Sequence, residues 1–164
     1  MLEITVKGRG GQGAKTFIEI LARAANYEGK FFLAYPEFGP ERSGTPINAY
    51  FKMDSVRIRD REPIKSPDII AVLDSSIPKY DKEIKKKGKV IINSEFDKKY
   101  HFIDATTAAK KFGSRPNMAI LGALIRLTGI IKRESAERAI KETFIGDVEE
   151  ANLNCFREGF SKVK

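Results

Sequence analysis

The chain has 164 residues with 41% hydrophobic and 32% charged residues, the proportions of a globular protein with one layered core rather than two. Its longest apolar runs, Ile69–Leu73 and Met118–Ile125, fall far short of the ~20 residues that span a bilayer, which excludes a membrane-spanning role. A net charge of +8 leaves room for an anionic cofactor, an acidic partner or nucleic acid, whereas one cysteine, Cys155, excludes an internal disulfide and falls short of the four ligands of an iron–sulfur cluster.

Leu2–Lys7 reads as a buried strand and Lys15–Tyr27 as a helix, with apolar residues at 17, 18, 20, 21, 24 and 25. Between them Gly8-Arg9-Gly10-Gly11-Gln12-Gly13 puts four glycines in six residues where a strand hands over to a helix. Such a turn brings backbone N–H groups and the positive end of a helix dipole towards a phosphate or carboxylate. Gly8, Gly10, Gly11, Gln12 and Gly13 are therefore candidate cofactor contacts. The spacing also has the form of a dinucleotide fingerprint, for which Glu37 is the one candidate ribose-binding acid. It differs from a phosphate-binding P-loop because Ala14 separates Gly13 from Lys15 and Thr16, turning the lysine by about 100°. A purely structural turn is the third reading.

Lys30–Tyr35 is a second strand, and Pro36–Pro46 is a loop rich in proline and glycine that leads into a strand over Ile47–Met53. Eleven residues without periodicity point to a functional or interface loop. Asp68–Asp74 contains a continuously apolar run bounded by acids, the pattern of a buried parallel strand. A lysine-rich helix is expected to start at Ser75–Pro78, followed by strands at Lys89–Asn93 and His101–Asp104. Lys79–Lys99 carries eight lysines against Asp81, Glu83, Glu95 and Asp97, with none of the interleaved aromatics of a single-strand nucleic-acid platform, so a solvated face is the reading and nucleic acid is not an expected partner. The only histidine, His101, reads as an ordinary strand residue.

From Ala105 onwards the pattern is helical: a segment to Lys111, then Asn117–Leu127, Glu134–Thr143 and Glu149–Phe160. Asn117 stands where a helix cap is expected. Its helix is apolar almost all round, which places it in the core or in a subunit interface and leaves the isolated chain open to dimerising through it. The alternation of strands and helices predicts an α/β fold: one Rossmann-like, three-layer domain over residues 1–164, with a mostly parallel sheet and a helical C-terminal part. No basic stretch followed by an apolar one opens the chain, so a cytoplasmic location is expected. Abundant Lys and Glu with a single Gln, Gln12, matches the bias of heat-adapted proteins.

Four segments in order resemble the gamma subunits of the 2-oxoacid:ferredoxin oxidoreductases, the family of pyruvate:ferredoxin oxidoreductase. They are Gly8–Ala14; Ala34-Tyr35-Pro36-Glu37-Phe38-Gly39-Pro40-Glu41-Arg42-Ser43-Gly44-Thr45-Pro46; Pro67–Asp74; and Asp104-Ala105-Thr106-Thr107-Ala108-Ala109. Asn117–Ala123 and Glu142-Thr143-Phe144 also fit. The chain departs from the pattern in its short connections around 75–89 and 93–101, and in lacking small polar residues after Asn117.

The resemblance implies oxidative decarboxylation of a 2-oxoacid with coenzyme A, giving acyl-CoA, carbon dioxide and reduced ferredoxin. Thiamine diphosphate, Mg and [4Fe-4S] clusters would then sit on alpha, beta and delta-type partner subunits, and ferredoxin would be reached through the complex. Gly146-Asp147-Val148 breaks off after two residues of the thiamine motif, so this chain is expected to carry no catalytic residue and no metal. Its implied part is to assist coenzyme A through the glycine turn, Arg42 and Asn117, and to meet its partners through Phe38, Gly39, Glu41, Arg42, Gly44 and Pro46. The alternative is a stand-alone Rossmann-type nucleotide-binding regulatory module.

Overall fold

A computed structural model describes residues 1–37, 45–77 and 82–164. Among these residues eleven elements follow one another as β1 (Leu2–Arg9), α1 (Ala14–Tyr27), β2 (Phe31–Pro36), β3 (Pro46–Asp54), β4 (Ile69–Val72), β5 (Lys89–Asn93), β6 (His101–Ile103), α2 (Ala105–Phe112), α3 (Pro116–Thr128), α4 (Arg133–Thr143) and α5 (Asp147–Lys162). The strands form one sheet in the order β2-β3-β1-β4-β5-β6. β1, β4, β5 and β6 pair in parallel, while β3 lies antiparallel between β1 and β2. Only β3 is reversed, so the sheet is mostly parallel as the alternating pattern predicts. Among the described residues no helix is long and apolar enough to cross a membrane.

Alternation along the strands sends Ile4, Val6, Phe51, Ile69, Ala71, Ile91 and Ile103 to one face, where all five helices bury their apolar stripes. The opposite face carries Ile70, Val72, Val90 and Ile92, covered by Ile84, Tyr100 and Phe102. The third layer is thus, among the described residues, irregular chain rather than helix. The expected lysine-rich helix is absent from 75–77 and 82–88. Asp74 holds Ser76 in a turn, accepting from its N–H at 2.9 Å and its hydroxyl at 2.6 Å, a local alternative to helix. Lys82, Lys85 and Lys86 would repel one another at helical spacing. Lys85 instead reaches Glu3 at 3.0 Å and Asp68 at 2.9 Å on β1 and the approach to β4.

Helix ends follow their local chemistry. Asp104 caps α2 by accepting from the Thr107 N–H at 2.9 Å, and Gly113 and Gly129 close α2 and α3 in the left-handed conformation. The cap expected at Asn117 is not formed. Pro116 takes the first position of α3, where its missing N–H costs nothing, and Arg115 stands at the cap position without capping the helix through its side chain. The α3 helix itself lies in the core, buried from Asn117 to Ile125.

Among the described residues two charged groups, Lys7 and Lys52, are buried in the sheet's second face. Lys52 is 1% exposed and donates to Asp60 and to the Glu62 carbonyl, both at 2.7 Å, and Lys7 pairs with Glu83. On the helical side Glu137 accepts from Arg133 Nε at 2.8 Å and from Arg157 Nε and Nη2 at 3.0 and 2.7 Å, which pulls its carboxyl down to about 2 against the opposing effect of burial. A carboxyl depressed in the folded state contributes stability above its unfolded value of ~4.3, and the contribution fades as pH falls from there through about 2. Because both arginines are partly exposed, screening reduces the value of the cluster to ~1–2 kcal/mol. E137Q is expected to lose that amount in urea unfolding at neutral pH and to match the parent protein in strong acid.

Candidate functional site

Three parallel strands, β1, β4 and β5, end side by side, and their C-terminal loops surround a crevice of about 620 Å³. The chain leaves β1 towards β2 and β3 on one side and returns to β4 on the other. The crevice therefore opens where the connections diverge, the usual ligand position of an open α/β sheet. Gly11 and Gln12 contribute from the β1 turn, Leu73, Asp74 and Ser75 from the end of β4, Asn93 from β5, Thr106 from α2, and Arg115 and Pro116 from the start of α3.

The glycine turn is held from inside. Gly11 and Gly13 have φ of 89° and 85°, left-handed values that favour glycine. The Gln12 amide bridges the turn: its Oε1 accepts from the Arg9 N–H at 2.7 Å and its Nε2 donates to Asp74 at 3.2 Å. Gly8 packs so closely that an added Cβ would lie 3.2 Å from Gln12 Oε1 and from Leu73. The Gly10 N–H donates to the Thr45 carbonyl at 3.3 Å and the Gln12 N–H to the Arg9 carbonyl at 3.1 Å. Several donors read from the sequence as ligand contacts are thus engaged within the chain, and it is Gly11 and Gln12 that reach the crevice wall.

Asp74 is the centre of this wall. Arg9 donates to it through Nε at 2.9 Å and to Ser76 Oγ through Nη2 at 2.8 Å. Burial alone would raise the Asp74 carboxyl, but donors from Ser76, Gln12 and Arg9 outweigh it and hold the group below the usual carboxylate range, hence ionised. Across the crevice Asn93 donates to the Leu73 carbonyl and to Thr106 Oγ1, each at 3.0 Å, tying β5 to α2. Arg115 donates to the Gly11 carbonyl at 2.8 Å and leaves its guanidinium exposed at the mouth. A carboxylate on the wall and a cation at the rim suit a ligand whose negative groups stay near Arg115.

Asn117 lies behind the turn. Its Nδ2 donates to the Gly13 carbonyl at 3.0 Å, locking α3 to the start of α1, and with Gly13 it lines a neighbouring pocket. Glu37 is taken by Asn48 and Tyr50 of β3, each at 2.7 Å, and these bonds keep its carboxyl low. Pro46 opens β3 opposite Arg9. Phe38, Gly39, Glu41, Arg42 and Gly44 lie outside the described residues. Sequence reasoning did not single out Asp74, Asn93, Thr106 or Arg115 as site residues. Asp74 and Thr106 stood inside the recognised segments, and a polar residue closing a buried parallel strand was the available signal for Asp74 and Asn93.

A family model described as pyruvate ferredoxin/flavodoxin oxidoreductase matches residues 3–162. The chain is 42% identical over its full length to the pyruvate/ketoisovalerate oxidoreductases common subunit gamma of Pyrococcus abyssi, covering 98% of that protein. It is 38% identical to the pyruvate synthase subunit PorC of Methanothermobacter thermautotrophicus, covering 100% of this chain and 97% of that one. Among solved structures, the pyruvate oxidoreductase subunit PORC of Thermotoga maritima superposes with a TM-score of 0.88 at 32% identity, over 99% of this chain and 97% of that one.

Proposed function

The chain belongs to the pyruvate ferredoxin/flavodoxin oxidoreductase family, as a homologue of its gamma (PorC) subunits, and from that premise we propose that it is the coenzyme A-assisting, non-catalytic subunit of a cytoplasmic 2-oxoacid:ferredoxin oxidoreductase. Pyruvate is the substrate favoured by the names its relatives carry. The complex would convert the 2-oxoacid and coenzyme A into acyl-CoA and carbon dioxide, passing the electrons to ferredoxin. Thiamine diphosphate with Mg and [4Fe-4S] clusters would supply that chemistry from alpha, beta and delta-type partners. Cys155 is buried in the α3–α5 packing and burial pushes its thiol up, the opposite of what a cluster ligand needs.

The observation that carries the reading is the crevice at the β1/β4 divergence, where the glycine turn at Gly11 and Gln12 meets the exposed Arg115. A ligand with phosphates can rest there while its reactive end projects beyond this chain towards a partner subunit. The chain's own share is to bind and orient, as one domain over 1–164. Arg42, Glu41 and the rest of the 38–46 segment are proposed as partner contacts.

The test is an anaerobic pull-down of the tagged chain from its native host, with the eluate assayed for coenzyme A-dependent dye reduction by pyruvate, 2-oxoglutarate and branched 2-oxoacids. Brown, thiamine-containing partners active on one acid are expected, and the preferred acid is expected to be pyruvate. A colourless, solitary protein that binds an adenine nucleotide would replace this reading with the stand-alone module.

A further inference from the structure

The two edges of the sheet are finished differently. At β6 the edge is closed, because Lys164 lies beside it and exchanges backbone hydrogen bonds with Phe102 at 3.0 and 3.1 Å. At β2 it is open. The Glu37 N–H donates to the Asn48 carbonyl at 2.9 Å, and from that pair the antiparallel ladder turns the backbone groups of Tyr35, Leu33 and Phe31 towards β3. Those of Phe32 and Ala34 point away from the sheet and have no partner among the described residues. Pro36, which has no N–H to satisfy, ends the outward row.

An open edge is usually guarded by charge, a bulge or a covering loop. β2 reads Phe-Phe-Leu-Ala-Tyr-Pro without a charged residue, and Phe31 and Phe32, on opposite faces, are 46% and 39% exposed. Such a strand is complementary to itself. When two copies run antiparallel about a twofold axis at Leu33, the outward groups of Phe32 meet those of Ala34 in the second copy, and each N–H finds a carbonyl. The side chains agree with that register. On the helical face Phe32 stacks on Phe51 at 6.4 Å and Ala34 packs on the core, so each large ring falls beside a small methyl. On the other face Phe31 falls opposite Tyr35 of the second copy, an aromatic cross-strand pair. The neighbouring registers are poorer. An axis at Phe32 sets Ala34 against Lys30, whose N–H is already given to the Ala25 carbonyl, and an axis at Ala34 sets Phe32 against Pro36, which has none.

We propose that the chain dimerises by β2–β2 pairing about Leu33, joining the six-stranded sheets of two copies into one continuous sheet. The α3 helix, whose apolar circumference suggests a dimer contact in sequence, is buried from Asn117 to Ile125 and is not available for one. The proposal does not rest on the coenzyme A reading.

Sedimentation equilibrium of the full-length chain from about 1 to 300 µM tests it, and because a pairing of six residues is small for a specific interface, a dimer with Kd of about 10–100 µM is expected. F31K, which puts a charge at an exposed edge position, is expected to weaken the dimer at least about tenfold with the circular dichroism spectrum retained. Cysteine variants read the register. Across the axis two Leu33 Cα atoms lie about 4.5 Å apart, within disulfide reach, whereas two Phe32 Cα atoms lie about 7–8 Å apart, beyond it. Under diamide oxidation L33C is therefore expected to form a covalent dimer at least about tenfold faster than F32C, with the buried Cys155 as the unreactive background. A chain that stays monomeric across the concentration range, a dimer that F31K leaves unchanged, or F32C linking as fast as L33C would overturn the proposal. So would L33C chains that remain unlinked in the complex returned by the pull-down, an outcome that gives the β2 edge to a different subunit.

Discussion

Gly159→Ala is expected to be among the most damaging substitutions in the protein. Helices α3 and α5 cross with their backbones in contact, and a Cβ on Gly159 would sit 1.9 Å from the Ala119 carbonyl oxygen. The reciprocal position is as tight, since a Cβ on Gly122 would lie 2.0 Å from the Phe156 carbonyl oxygen and 2.8 Å from the Phe160 nitrogen. Both obstacles are main chain, so no rotamer change relieves them and the helices must part. Parting them loosens Met118, Leu121 and Phe156, all fully buried. Overpacking of this kind costs ~3 kcal/mol or more, set against the ~1 kcal/mol that alanine gains over glycine in a helix interior. For a chain of this size the remainder of ~2 kcal/mol lowers Tm by about 4–8 °C. Thermal unfolding of G159A and G122A beside E150A, an exposed change on α5, checks it. A Tm within about 2 °C of the parent in the glycine variants would show that the helices do not pack at this distance.

Gly13→Ala is expected to cost ~3 kcal/mol and to disturb both pockets. The φ of 85° imposes ~1 kcal/mol on any side chain, and the added Cβ would fall 2.3 Å from Asn117 Nδ2 and 2.9 Å from its Cγ. Asn117 is enclosed, so it gives way only by losing its bond to the Gly13 carbonyl, which strands a buried amide at ~1–3 kcal/mol. Gly11→Ala provides the comparison: its φ of 89° imposes the same strain, yet nothing lies within 4 Å of the new Cβ. In urea unfolding G13A should therefore exceed G11A by ~2 kcal/mol, and equal losses would remove Asn117 from the account.

That comparison separates two kinds of information about the glycine turn. Its position between β1 and α1 was readable from composition and periodicity, because a run of glycines between an apolar strand and an amphipathic helix has few alternatives. Which of its groups are free was not readable. Gln12 looks like a ligand contact in sequence, and in the fold its amide is consumed between Arg9 and Asp74, a residue 62 positions away. Asn117 looks like a cap, and in the fold it reaches across 104 positions to hold Gly13. Side-chain amides have several competent partners, and the choice belongs to whatever the fold brings near.

Charge behaves in the same way. The lysine-rich stretch before β5 has the composition of a helix, but ion pairs with β1 and an Asp74 turn compete successfully against a helix that would crowd its lysines. Lys52 shows the reverse case, an ordinary strand lysine in sequence that the sheet encloses together with Asp60 and the Glu62 carbonyl.

By itself the sequence determined most of the elements: apart from the lysine-rich helix expected after β4, each expected strand and helix lies within a few residues of its place. The tertiary structure alone decided that β3 returns antiparallel between β2 and β1, that the helices share one face, and that Asp74, Asn93, Thr106 and Arg115 meet at one crevice. Local propensity acts over a turn or two of chain, whereas strand order and the convergence of side chains are fixed by burial of surfaces far apart in sequence, which no local pattern encodes.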